Sequence, residues 1–269
     1  MDLIMDNAVL TVQQLNIALA GRSIVRDINF QLYPGQVLGI IGESGSGKSL
    51  TCRSLLGLLQ GATVQGSIQF AGQELIGLSS KKIRQIRGAG IGIILQNPVS
   101  FFNPIATIGQ HFTETLRSHR SLTPQAAHNI ASEHLAAVGL SEGDRILRQF
   151  PFQLSGGMLQ RVMIAIAISL QPQVLIADEP TTALDVITQM QILQLLQQLI
   201  QKTQCAVLLV THDLGVIAQM ADQVAVMRDG EFVEQAPVAA IFDHPQHPYT
   251  RSLLAARFVN PVNPIGGHQ

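Results

Sequence analysis

Short, unbroken apolar runs punctuate the chain, with segments of helical period between them. Val37-Leu38-Gly39-Ile40-Ile41, Val174-Leu175-Ile176-Ala177 and Ala206-Val207-Leu208-Leu209-Val210 all lack the polar alternation of a half-exposed strand. Such runs predict parallel strands covered on both faces, and hence an α/β fold with a mostly parallel sheet core. Between about residues 97 and 170 no strand pattern occurs. There Thr123-Pro124 offers an N-cap and a first helical proline, and Gly139 a stop, so the region predicts a helical subdomain set into the core. Over residues 185–204 a glutamine-rich helix places Val186, Met190, Leu193 and Ile200 at helical spacing, a stripe that predicts core packing. The last residues, rich in Pro and Gly, predict a mobile tail over 259–269.

Composition narrows the function classes. A chain of 269 residues, 46% hydrophobic, suffices for one domain with a subdomain. Its net charge of −1 gives no basic field for nucleic acid. Only 13% of residues are charged, which fits either a large core or a surface that a partner covers. The two cysteines, Cys52 and Cys205, form no CxxC pair, so neither a disulfide framework nor a zinc site is indicated. The N-terminal MDLIMDNAVL lacks the basic start and apolar stretch of a secretory signal. The longest apolar run, Val162 to Leu170, falls far short of the roughly 20 residues of a membrane span. A role at a membrane would therefore need a partner.

The candidate chemistry follows the apolar runs. Gly42-Glu43-Ser44-Gly45-Ser46-Gly47-Lys48-Ser49 matches G-x-x-x-x-G-K-[ST], after a strand and before an apolar helix. The glycines let backbone N–H groups turn inward toward phosphates, and the helix N-terminus adds its positive dipole end. Lys48 would reach the β- and γ-phosphates, and the Ser49 hydroxyl would ligate Mg²⁺. Asp178 and Glu179 follow the Val174–Ala177 run, at the strand edge where α/β sheets bind ligands. Asp178 would hold Mg²⁺, and Glu179 would orient or deprotonate the attacking water. His212, after a further core strand, would contact the γ-phosphate. Gln96, after Gly92-Ile93-Ile94-Leu95, could bring its amide to Mg²⁺ or to that water.

The ordered set resembles the ATP-binding subunits of ABC transporters. Gly42–Ser49 corresponds to the Walker A loop, Gln96 to the Q-loop, Leu154-Ser155-Gly156-Gly157-Met158 to the signature, Val174–Glu179 to Walker B, Ala183-Leu184-Asp185 to the D-loop and His212 to the H-loop. The resemblance implies an ATP-binding domain over 8–258, with ATP and Mg²⁺ as cofactors. It also implies that Ser155 and the N–H groups of Gly156 and Gly157 bind the γ-phosphate held by a second subunit. A serine-capped buried helix accounts for Ser155 but not for two successive glycines, which cost helix propensity. The family's usual adenine-stacking aromatic is absent, and Leu19 takes its place.

Gln96-Asn97-Pro98-Val99-Ser100-Phe101-Phe102-Asn103-Pro104 and His247-Pro248-Tyr249-Thr250-Arg251-Ser252-Leu253-Leu254 are similar to the peptide/nickel importer group. That resemblance implies a second, different ATP-binding subunit, two membrane permease subunits and an extracytoplasmic binding protein. It places the chain peripherally on the cytoplasmic face of the inner membrane. No cysteine follows Cys205, which favours nickel over peptides as the expected cargo, with di- or oligopeptides the alternative. His244 and His247 read as a surface loop or partner contact, since H-x-x-H with prolines makes no helical face. A non-transport ABC ATPase and another P-loop enzyme fit less well: the chain shows one cassette, no sustained heptads and no NKxD motif.

Overall fold

The computed structural model describes residues 8–182 and 184–259. Residues 1–7 of the segment read as lacking a signal, Ala183 of the D-loop and residues 260–269 of the predicted tail lie outside these residues. The strands, in chain order, are β1 (Leu10–Leu19), β2 (Arg22–Leu32), β3 (Val37–Ile41), β4 (Ala62–Phe70), β5 (Gln73–Glu74), β6 (Ile91–Ile94), β7 (Val174–Asp178), β8 (Ala206–Val210), β9 (Gln223–Arg228) and β10 (Glu231–Pro237). They form a six-stranded sheet ordered β10-β9-β3-β8-β7-β6 and a four-stranded sheet ordered β2-β1-β4-β5. The first is parallel from β9 to β6, with β10 antiparallel at its edge. The second is antiparallel throughout.

The unbroken apolar runs are explained by two cores, one on each face of the parallel sheet. In β3, Val37 and Ile41 face the helical side, while Leu38 and Ile40 face the antiparallel sheet. β7 and β8 divide the same way: Leu175, Ala177, Val207 and Leu209 on one side, Val174, Ile176, Leu208 and Val210 on the other. A strand buried on both faces has no polar positions to alternate.

The antiparallel sheet is the element that apolar runs alone did not announce. Its β1–β2 hairpin turns on Ala20 and Gly21, both at positive φ (48° and 77°), which is the geometry of a tight two-residue turn. The alternation of buried Leu10, Val12, Leu15 and Ile17 with exposed positions is its signal in the sequence.

The helices are α1 (Lys48–Leu55), α2 (Ser80–Ile86), α3 (Pro98–Phe101), α4 (Ile108–His119), α5 (Pro124–Ala137), α6 (Gly143–Arg148), α7 (Gly156–Ser169), α8 (Val186–Thr203), α9 (Leu214–Met220), α10 (Val238–Asp243) and α11 (Pro248–Val259). The predicted helical subdomain is α3 to α7. Its α5 begins as the sequence requires: Thr123 Oγ1 accepts from Ala126 N, and Pro124 is the first helical residue. It ends with Gly139 at φ 77°, where Gly139 N donates to Ala136 O and Leu140 N to Leu135 O. That paired bonding is a Schellman close, with Leu135 and Leu140 buried beneath it.

The stripe on α8 needs correction. Leu193 and Ile200 are in the core, but Val186 and Met190 are 73% and 54% exposed. The buried residues of α8 are Ile192, Leu193, Leu196 and Ile200, all after its first turns, so helical spacing alone overstates the buried face. Ile187 is exposed beside them.

Phe112 anchors the helical subdomain, fully buried on α4 among residues of α5 to α7. Phe112→Ala is expected to lower unfolding free energy by about 3–5 kcal/mol, the usual range for emptying a buried phenylalanine site. Urea denaturation of the purified chain measures it.

Candidate nucleotide site

The parallel sheet brings its carboxyl ends to one edge, and four of the sequence-predicted elements meet there. β3 leads into the Gly42–Ser49 loop and α1; β8 into His212; β7 into Asp178 and Glu179; β6 into Gln96. Because β3, β8, β7 and β6 are neighbours in that order, residues far apart in sequence come together. Among the described residues Gln96 is exposed at the last of these strand ends.

The phosphate loop is tightly wrapped. Gly42 has φ 154°, and a Cβ there would lie 2.1 Å from Met227 O. A Cβ on Gly47, at φ 109°, would come within 2.9 Å of Met227 Cε and 3.0 Å of Val25 Cγ2. Only glycine fits either place. Gly230 N donates to Ser46 O at 3.0 Å, tying the β9–β10 turn to the loop. Ser44 and Gly45 stay exposed at its tip.

Lys48 is buried, and its Nζ donates to Gly42 O at 2.7 Å and Glu43 O at 2.8 Å. Burial lowers its pKa, and the carboxylates of Glu179 and Asp178 only partly offset this. Asp178 is buried too, and burial raises its pKa against the hydrogen bond that Ser49 Oγ donates to its Oδ1 at 3.1 Å. Each is thus held by burial at a cost to its charged form that its neighbours offset only in part. Ser46 Oγ is buried in the same loop without a hydrogen-bond partner. An unpaired buried hydroxyl is costly and points to an acceptor from outside the chain. Together these groups fit a metal–polyphosphate.

Glu179 stands at φ 53°, a region unfavourable for a residue with a Cβ, while its N–H still donates to Val210 O at 2.8 Å. Its carboxylate takes a hydrogen bond from Thr182 Oγ1 and lies 2.8 Å from His212 Nδ1. The imidazole is largely exposed, whereas the carboxylate is mostly covered. Thr182 is a partner that sequence reading did not single out; its place three residues after Glu179 was the available signal.

The signature glycines have two different reasons. Ser155 caps α7, its Oγ accepting from Met158 N at 3.3 Å. A Cβ on Gly157 would lie 2.9 Å from Thr188 Cγ2 on α8, so Gly157 keeps α7 and α8 close. A Cβ on Gly156 would meet nothing within 4 Å. Nothing described in this chain requires glycine there, and both Ser155 and Gly156 are exposed. Asp185 caps α8, accepting from Thr188 N at 3.0 Å and from Thr188 Oγ1 at 2.8 Å. Gln160, buried on α7, donates to Pro180 O at 2.7 Å, so the signature helix is bonded to the residue after Glu179. Leu19 is half-buried at the end of β1, beside the hairpin turn.

The ABC transporter family model matches residues 25–182. The chain is 45% identical over 255 residues to the dipeptide transport ATP-binding protein DppD of Bacillus subtilis, covering 92% of this chain and 76% of that protein. The chain belongs to the ABC transporter family. It is an ATPase whose hydrolysis is coupled to transport. It is also 41% identical over 251 residues to the metal-staphylopine import system ATP-binding protein CntD of Staphylococcus aureus, covering 92% and 93% of the two chains. Among solved structures, the dimeric post-hydrolysis state of the cassette MJ0796 bound to ADP and Pi superposes with a TM-score of 0.75 at 27% identity, over 85% of this chain and 98% of that one. No helix among the described residues is long and apolar enough to cross a membrane.

The charge imbalance has a measurable consequence. Because the Asp178 carboxyl titrates above its ordinary range when folded, its ionisation costs stability at neutral pH. The cost is relieved as pH falls through that raised value. Asp178→Asn should therefore raise the Tm of the nucleotide-free chain at pH 7. It should also abolish the extra stabilisation that Mg²⁺ adds to ATP in a thermal shift experiment. A variant whose nucleotide-free Tm equals the wild type's, and which still gains Tm from Mg²⁺ over ATP alone, would contradict both.

Proposed function

We propose that this chain is the ATP-hydrolysing subunit of an ABC importer that takes up short peptides. The hydrolytic part is carried by the Glu179–His212 pair, standing at the strand ends beside the Ser49–Asp178 pair. The Gly42–Ser49 loop cradles the phosphates, with Gly42, Glu43, Ser44, Gly45, Ser46 and Gly47 shaping it and Lys48 drawn from its backbone carbonyls to the β- and γ-phosphates. Ser49 and Asp178, with Gln96, would hold Mg²⁺, which supplies charge neutralisation on the phosphate oxygens. Glu179 orients the attacking water and accepts its proton. His212 holds the Glu179 carboxylate and faces the γ-phosphate. Phosphoryl transfer needs positioning and charge stabilisation more than covalent participation.

Ser155, Gly156 and Gly157 bind the γ-phosphate held by a second cassette subunit, and Asp185 lies at the same seam. The open space at Gly156 supports this reading, since a phosphate from outside can approach the backbone there. ATP then joins the two subunits, and hydrolysis releases them. The ATP-binding domain is residues 8–258, with the helical subdomain at 97–170 facing the permease subunits. Exposed Val99, Ile105 and Phe152 mark that side, next to a cavity of about 770 Å³ lined by Ile105, Arg117, Pro124, His128 and Leu147. The complex includes an extracytoplasmic binding protein, and the chain sits on the cytoplasmic face of the membrane.

Cargo follows the relatives. The sequence reading expected nickel, but the 45% identity to a dipeptide transport protein favours peptides. A metal chelate is the second reading, supported by the 41% identity to CntD. A strain lacking this chain should lose uptake of labelled dipeptide while its nickel content, by mass spectrometry, stays unchanged. Wild type should restore uptake, and Glu179→Gln should not. That variant should keep ATP binding and lose about 10²- to 10⁴-fold in turnover, the worth of a general base. Nickel falling while dipeptide uptake persists would move the cargo to the metal-chelate class.

A further inference from the structure

The phosphate loop is also held by the far end of the chain. Tyr249, in the first turn of α11, is only 6% exposed, and its hydroxyl accepts a hydrogen bond from Glu43 N at 3.2 Å. The Arg228 guanidinium lies over the ring at 4.9 Å from its centre. Burial pushes the phenol's pKa up, so the hydroxyl stays neutral.

The segment before α11 is built to present this ring. The Glu234 carboxylate on β10 accepts from Gln246 N at 2.8 Å and His247 N at 3.0 Å. His247 Nδ1 accepts from Tyr249 N at 3.2 Å. Arg251 Nη1 reaches back to Gln246 O at 2.8 Å and Pro245 O at 3.2 Å. These bonds use the two histidine-flanked prolines as a fixed loop.

Glu43 is consequently gripped at both of its backbone polar groups. Tyr249 takes the N–H, and Lys48 Nζ donates to the C=O. On the reading above, nucleotide draws Lys48 toward phosphate, leaving that carbonyl with only the 3.2 Å bond from Ser46 N within the loop. The Tyr249 bond is then the one side-chain bond that remains on the Glu43 backbone. A phenylalanine would fill the same space; only the hydroxyl explains the contact to the loop.

We propose that Tyr249 is a positioning residue for the phosphate loop, and that residues 244–251 form a strap presetting the loop for nucleotide. This rests on the assignment of Gly42–Ser49 as the ATP site. The strap acts on ground-state nucleotide binding and not on the reacting groups, so it should appear in affinity and not in turnover.

The test is Tyr249→Phe in the full chain, with Lys48→Ala alongside. Calorimetric titration with Mg–ATP should show Kd weakened about three- to tenfold, the worth of one neutral hydrogen bond. In the assembled transporter, KM for ATP should rise by the same factor while kcat stays within about twofold, a split that general loss of packing does not produce. Hydrogen exchange at the Glu43 amide should speed up with the Tm nearly unchanged. If Lys48→Ala loses ATP binding while Tyr249→Phe binds as tightly as wild type, the strap is refuted and the ATP site stands. A fall in kcat and Tm with unchanged affinity refutes it equally, as mere packing. If Lys48→Ala binds normally, the ATP-site assignment beneath it fails instead.

Discussion

A buried lysine and a buried aspartate, each disfavoured in its charged form by burial, stand at one edge of the parallel sheet, and much of the molecule serves to hold them there. Burial alone moves Lys48 and Asp178 toward their neutral forms. A fold selected for stability alone would have little reason to keep both. The sheet order brings β3 and β7 to either side of β8, and the antiparallel sheet together with the β9–β10 turn wraps the loop between them. The strained backbone at Glu179 belongs to the same economy: it turns a carboxylate off the strand end toward His212 and Thr182.

On the proposed function, the site is one half of a composite one. Its phosphate side is closely built: a Cβ at Gly42 would strike the Met227 carbonyl, and one at Gly47, at φ 109°, would crowd the Met227 and Val25 side chains. The signature helix is built as carefully, capped by Ser155 and pinned to α8 through Gly157, yet it faces open space at Gly156. The bond from Gln160 to Pro180 connects that helix to the residue that follows Glu179. On the proposed function, a change around Glu179 has a short mechanical route to the surface that engages a second subunit.

Much of this was legible in the sequence because its signals are local. The phosphate loop follows an apolar run and opens a helix. Asp178 and Glu179 end another, and Thr123, Pro124 and Gly139 bound α5 by ordinary capping chemistry. What stayed hidden depends on tertiary placement. The antiparallel sheet alternates weakly around irregular register, with shifts near Val12, Leu15 and Ile17. Val186 and Met190 share the helical spacing of buried Leu193 and Ile200 yet are exposed, a difference that only tertiary placement decides. Tyr249 lies more than two hundred residues from Glu43, and only the folded chain shows what its hydroxyl meets.

The central claim is that ATP is completed from outside the chain, at the signature helix. Hydrogen exchange at residues 156–158, compared with and without Mg–ATP in the assembled transporter carrying Glu179→Gln, tests it directly. The account predicts protection at these amides as well as at 42–49 when ATP is bound. Protection confined to 42–49, with residues 156–158 exchanging at the same rate in both conditions, would contradict it.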